Sequence, residues 1–95
     1  MRLVLYISGP TARSGLAVQR ARRLCSETLA GRAELEVVDT LENPQRAFED
    51  CVHVTPTLAL AGDVGSARAP RVFGDLDDPQ AVLSALGLSP AGAGA

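Results

Sequence analysis

Apolar residues along the chain fall into three patterns, and each pattern marks a different element. Arg2 to Ile7 (RLVLYI) is almost continuously apolar and ends at Ser8-Gly9-Pro10, the pattern of a strand buried on both faces. From Ser14 the period changes. Ala17, Val18, Ala21, Leu24, Cys25 and Leu29 recur at helical spacing, while Gln19, Arg20, Arg22, Arg23, Ser26 and Glu27 fill the opposite side. This predicts an amphipathic helix to about Ala30, with Ser14 capping its start and Gly31 supplying a left-handed turn after its end. Leu16 falls among the arginines, and a single exposed leucine needs no partner. Glu34 to Asp39 (ELEVVD) begins as an alternation, so it reads as a second strand with Leu35 and Val37 inward. A helix of that length between two strands implies a parallel pair joined by a right-handed crossover.

The second half is read from its prolines and glycines. Asn43-Pro44 starts a short helix that ends near Asp50, with Asn43 as cap and the fixed φ of Pro44 suited to the first helical position. Proline cannot donate to a ladder, so Pro56 precedes the next strand, Thr57 to Ala61. Gly62 to Pro70 is loop by composition, the segment expected to move most. Arg71 to Phe73 is a short strand, Gly74 a turn, and Asp77-Asp78-Pro79 the start of a last helix, Pro79 to Leu86, which Gly87 stops. Leu88 to Ala95 (LSPAGAGA) is expected to fray, which draws a domain over 1–87 and a flexible tail over 88–95. The order βαβαββα, a four-stranded mixed sheet with helices on its faces, is that of the α/β thioredoxin-like folds.

Composition then narrows the function. A chain of 95 residues is one domain, and its three aromatics (Tyr6, Phe48, Phe73) leave the core to aliphatics and offer little for stacking bases. Every basic residue is arginine, and the net charge of −2 gives no overall field for a nucleic acid. The charge is nevertheless split. Arg13 to Arg32 holds five arginines against one acid, whereas Ala33 onward holds three arginines against ten acids. That split is the pattern of a solvated surface, with a partner-docking face as the alternative. No apolar run approaches the roughly 18 residues of a membrane span, and no signal peptide precedes the first strand, so the expectation is a cytoplasmic protein off the membrane.

The chemistry-bearing residues do not assemble into a catalytic set. A thioredoxin-type redox site needs a cysteine at the start of the first helix, where the helix terminus lowers its pKa, and Gly9 to Ser14 contains no sulfur. Cys25 and Cys51 are too far apart in sequence for a redox pair or a zinc knuckle and are expected as free thiols, Cys25 packed in the core. Cys51 and His53 share a side if their segment is extended, but no third group orients them, so a thiol enzyme using Cys51 is the weakest of the functional readings. His53 is the sole histidine. Asp75, Asp77 and Asp78 lack the loop pattern of a calcium site, and no phosphate-binding glycine motif occurs. No cofactor, metal or catalytic residue is assigned.

With the segments laid out, the chain resembles the KaiB family, small thioredoxin-like proteins that bind the hexameric clock ATPase KaiC. The residues that carry the resemblance are Leu5-Tyr6-Ile7-Ser8-Gly9 with Thr11 and Ser14, then Val37-Val38-Asp39, Leu41-Glu42-Asn43-Pro44-Gln45, Ala47, Glu49-Asp50, Thr55-Pro56-Thr57-Leu58-Ala59, and Gly74-Asp75-Leu76 with Asp78, Val82, Leu83 and Leu86. The resemblance implies a non-enzymatic regulator whose partner is a KaiC-like ATPase or a related signalling kinase; a thioredoxin-like adaptor with no clock role is the alternative. It places partner binding on Asn43, Pro44, Gln45, Arg46, Glu49 and Asp50. It places a rearranging or structural role on Thr55, Pro56, Thr57, Gly74, Asp75, Leu76, Ala85 and Gly87, and implies a cis bond at Thr55-Pro56. It also implies an alternative, rearranged and tetrameric fold, so the oligomeric expectation runs from monomer to weak dimer or tetramer.

The chain departs from the family pattern at several points. Glu36 stands where the family usually has lysine, and Leu60 and Ala61 replace basic residues after the Thr-Pro-Thr motif. A longer loop, Gly62 to Pro70, replaces a proline run. Ala85 replaces a glycine within the last helix, worth about 1 kcal/mol toward helix, and Gly87 then closes that helix. These changes lead to the expectation that the chain rests in the thioredoxin-like arrangement and switches little.

Overall fold

The computed structural model describes residues 1–61, 70–74 and 76–88. Its elements are β1 (Arg2–Ile7), α1 (Ala12–Arg23) continued by a wider π turn over Leu24–Thr28, β2 (Glu34–Asp39), α2 (Pro44–Glu49), β3 (Thr57–Leu60), β4 (Arg71–Phe73) and α3 (Pro79–Leu86). The strands form one sheet in the order β2-β1-β3-β4. β1 pairs parallel with β2 and antiparallel with β3, and β3 pairs antiparallel with β4. This is the α/β arrangement read from the element order. The rearranged alternative is not the form seen, since Thr57–Leu60 and Arg71–Phe73 are both strands.

β1 is the centre of the sheet, which accounts for its unbroken apolar run: Leu3, Val4, Leu5 and Tyr6 are all fully buried. Period two divides them. Leu3 and Leu5 join Leu58 beneath α1 and α3, in one cluster with Ala17, Ala21, Leu24, Leu29, Leu83 and Leu86. Val4 and Tyr6 point to the other side, where they cluster with buried Val38, beside the buried Ala59 of β3, with Val52 and Ala61 partly covered. On β2 the expected inward pair is split. Leu35 is half-buried against the larger cluster, but Val37 is 36% exposed and Val38 is the buried residue. β2 is an edge strand, so helix cover runs out along it.

Two helix boundaries also differ from expectation. α1 starts one turn earlier than Ser14, because Thr11 is the cap: its backbone is extended and its Oγ1 accepts the Ser14 N–H at 3.0 Å. Ser14 is instead a buried residue in the first turn, its Oγ accepting the Thr11 hydroxyl at 3.0 Å. At the far end the helix widens, with Leu29 N–H donating to Leu24 O, before Ala30 and Gly31 turn the chain at positive φ. The apolar face holds as read, Leu16 remaining exposed. β3 stops at Leu60, one residue short of the expected Ala61.

α3 follows its sequence signals. Asp78 Oδ1 accepts the N–H groups of Gln80 and Ala81, and Gly87 closes the helix at φ 73, with Gly87 N–H on Ser84 O and Leu88 N–H on Leu83 O. Leu88 therefore packs with the domain, partly buried against the larger cluster. The expected loop over 62–69, Asp75, and the tail from Ser89 onward lie outside the described residues. No helix among the described residues is long and apolar enough to cross a membrane.

Candidate functional site

Strand register aligns a row of side chains on the side of the sheet away from α1 and α3. Glu36 pairs with Val4, Val4 with Ala59, and Ala59 with Arg71. The next row is Val38, Tyr6, Thr57 and Phe73. An acid thus stands on β2 at one edge of the sheet and a guanidinium on β4 at the other, with small or apolar residues between. α2 spans this row.

Three attachments strap the helix down. At the β2 edge, Arg46 makes a two-pronged pair with Glu36, Nη1 to Oε2 at 2.5 Å and Nη2 to Oε1 at 2.8 Å. In the centre, the Tyr6 hydroxyl donates to Asp50 Oδ2 at 2.7 Å, and Arg46 Nε reaches the same oxygen at 3.4 Å. At the β4 edge, Arg71 donates to the main-chain carbonyls of Asp50 at 2.5 Å and Cys51 at 2.8 Å, where the negative end of the α2 dipole lies. Burial and the neighbouring Asp50 carboxylate push the Tyr6 phenol well above its usual range. The Arg46 hydrogen bonds hold the Glu36 carboxyl below its usual range, and Glu36 in turn raises Arg46.

The start and end of α2 are less regular than the sequence implies. Asn43 occupies the cap position and Pro44 the first turn, but the Asn43 side chain makes no cap bond; its Nδ2 turns back to Asp39 O at 3.1 Å. Asp39 Oδ1 in turn accepts from the backbone of Gly9 and Leu41. At the C-terminus Cys51 adopts φ 58, with Cys51 N–H on Phe48 O and Val52 N–H on Ala47 O. This left-handed closure normally takes glycine. It also removes the extended geometry on which a Cys51–His53 pairing depended, and no cluster of three or more metal-ligating residues is found among the described residues.

The six expected partner-binding residues therefore separate into two sets. Arg46 and Asp50 are partly buried and work inward as the strap, whereas Asn43, Pro44, Gln45 and Glu49 are exposed, Gln45 Nε2 donating to Glu49 Oε1 at 3.1 Å. Sequence reasoning missed Phe48, which is 82% exposed on the same outward turn. Its offset of four from Pro44 was the available signal.

The residues expected to rearrange gather only in part. The Thr55-Pro56 bond is cis, Thr55 Oγ1 lies 2.7 Å from Ser8 Oγ, buried Thr57 donates its hydroxyl to Val54 O at 2.6 Å, and Gly74 at φ 99 donates to Pro56 O. Leu76 is buried nearby in sequence, while Ala85 and Gly87 sit at the far end of α3.

The comparison with known proteins decides the lineage. Residues 4–64 match the KaiB domain family model. The chain belongs to the KaiB family. It is 38% identical over 92 residues to the circadian clock protein KaiB3 of Synechocystis sp., covering 95% of this chain and 85% of that protein. It is also 38% identical over 86 residues to the circadian clock oscillator proteins KaiB of Microcystis aeruginosa and Synechococcus elongatus, covering 90% of this chain and 80% and 81% of theirs. These relatives support a clock-related role for this KaiB-family chain. Glu36, expected from the resemblance to depart from the family pattern, is the partner of Arg46, so its charge is met within the chain itself.

Proposed function

We propose that this KaiB-family chain is a cytoplasmic clock regulator with no chemistry of its own, which binds a KaiC-type hexameric ATPase through the outward face of α2. The observation that carries the reading is the strap. A six-residue helix is too short to be stable alone, yet this one is held at both edges and the centre of the sheet. Its outward residues Asn43, Pro44, Gln45 and Glu49, part of the family-like motif, are thereby displayed in a fixed arrangement. A fixed surface loses little entropy on docking.

The non-enzymatic part is supported by the sulfur-free turn before α1 and by Cys51 being committed to closing α2. We further propose that the thioredoxin-like arrangement is the resting one, Ala85 and Gly87 favouring helical α3, with Thr55, Pro56, Thr57, Gly74 and Leu76 at the junction a rearrangement would have to remake; Asp75, expected in the same role, lies outside the described residues. The test is binding of the purified chain to the KaiC-type hexamer of the same source, by size-exclusion chromatography and calorimetry in ATP, ADP and nucleotide-free states. Co-elution with saturable heat is expected. No binding in any nucleotide state overturns the reading in favour of an adaptor with another partner, and a tetramer by sedimentation overturns the resting arrangement.

A further inference from the structure

Of three aromatic residues in the chain, only Tyr6 is buried; Phe48 is 82% and Phe73 59% exposed. Both phenylalanines lie on one side of the molecule. Register puts Phe73 in the row with Val38, Tyr6 and Thr57, and Phe48 rises from the helix laid over that row. Isolated exposed leucines are common on protein surfaces, but neither phenylalanine entering the small core of this chain is a different observation.

The exposed charges on α2 and the turn before it are acidic. The guanidinium of Arg46 is taken by Glu36 and Asp50 and that of Arg71 by two main-chain carbonyls, while Arg2, on the same face of β1 as Val4 and Tyr6, acts on Glu36 at the β2 edge. Glu42 and Glu49, on and beside α2, are exposed. We propose that Phe48 and Phe73 are the apolar anchors of this side, and that the surface covering them is a protein face with an apolar cleft rimmed by arginine or lysine. The inference rests on the α2 reading above and assigns that cleft to the KaiC-type partner. Aromatic anchors surrounded by charge-matched polar residues are the usual composition of an interface centre, and the acids steer a cationic partner. A second copy of the chain would offer the arginine-bearing face of α1, but α1 against α2 is a head-to-tail contact that does not close as a pair, which favours a different chain.

The experiment is a titration of the purified chain with the purified KaiC-type hexamer of the same source, for wild type, Phe48→Ala, Phe73→Ala and Glu49→Arg, in low and high salt. Phe48→Ala is expected to weaken binding by about tenfold or more, Phe73→Ala and Glu49→Arg by several-fold, with wild-type association slowing as salt is raised. Phe48 is exposed and alanine favours helix, so the thermal midpoint should stay within a few degrees; Phe48→Leu, expected to bind between the two, guards against a folding defect. Wild-type binding with Phe48→Ala unchanged overturns the anchor proposal and leaves the α2 reading standing. Failure of the wild type to bind overturns both. Sedimentation showing a wild-type oligomer that Phe48→Ala dissolves assigns the anchors to a second copy and overturns the proposed occupant.

Discussion

On the side of the sheet beneath α1 and α3, the layers are joined by aliphatic side chains: Leu3, Leu5 and Leu58 from the strands meet Ala17, Ala21, Leu24, Leu83 and Leu86 from the helices. On the α2 side the buried set is smaller, with Val4, Tyr6 and Val38 joined by Thr57 and Ala59 of β3, and the helix is held instead by Arg46, Asp50, Tyr6 and Arg71. Burial is non-directional and scales with area, so the first side stores most of the stability while tolerating small shifts. Hydrogen bonds are directional and contribute modestly, so the second side sets where a short helix sits more than whether the domain folds. The docking face proposed for α2 gains from that division, because its position is set by geometry while stability resides elsewhere.

The largest effect should therefore come from the aliphatic side. Leu58→Ala removes a fully buried side chain from β3 between β1 and β4. Loss of transfer energy plus the cavity left behind is expected to cost about 2–5 kcal/mol, read from chemical denaturation. A loss below about 1 kcal/mol would break the comparison, because the aliphatic cluster would then not be the store of stability.

Tyr6→Phe probes the other side with the ring kept in place. The Asp50 carboxylate would lose its 2.7 Å donor and keep only the longer Arg46 contact. The expected cost is about 1.5–3 kcal/mol, in the range for hydrogen bonds to charged groups. The same bond has a signature in pH. The folded phenol is raised above its unfolded value, so folded chains retain the proton longer than unfolded ones, and the contribution is complete below about pH 10 and lost as the pH rises beyond it. Tyrosinate absorbance should appear together with alkaline unfolding in the wild type; ionisation well before unfolding would refute the buried bond.

The two sides also differed in how much the sequence disclosed. β1, β4 and α3 run where pattern and caps place them, because continuous apolar runs, Asp78 and Gly87 are local signals. The α1 start turned on a choice between two capping residues, and the Gly9-Pro10 turn, with Thr11 N–H on Gly9 O, brings Thr11 rather than Ser14 to the helix mouth. The strap was out of reach. Arg46 and Asp50 were readable as neighbours on a helix, but their meeting with Tyr6, Glu36 and Arg71 depends on the register of four strands, which no local pattern contains. Phe48 carried only the weak signal of its offset of four from Pro44, since α2 has too few turns for periodicity to fix which side is outward.

Cys51 offers a smaller test of the strap's outer end. A residue with a Cβ at φ 58 carries strain of about 1 kcal/mol, which glycine avoids, while glycine also has more freedom to lose on folding. Cys51→Gly keeps the carbonyl that accepts from Arg71 and is expected to leave the protein up to about 1 kcal/mol more stable, with binding unchanged. Destabilisation beyond about 1 kcal/mol would show that the Cys51 side chain, rather than the backbone closure, holds this end.

The smallest expected effect lies at the opposite edge. Glu36 and Arg46 are each about a third exposed, so their pair is screened and worth roughly 0.5–1 kcal/mol. Because Arg46 lowers the Glu36 pKa in the folded chain, that contribution is fully present above the ordinary glutamate range and is lost as the pH falls through the folded value below it. A Glu36→Gln variant should therefore be slightly less stable than wild type at pH 7, with the gap shrinking toward zero on acidification. High salt should shrink it too, though only in part, since two direct hydrogen bonds accompany the charge. A gap independent of pH would mean that the fork holds α2 by shape alone, and the β2 edge would then resemble the packed side of the sheet more than the polar one.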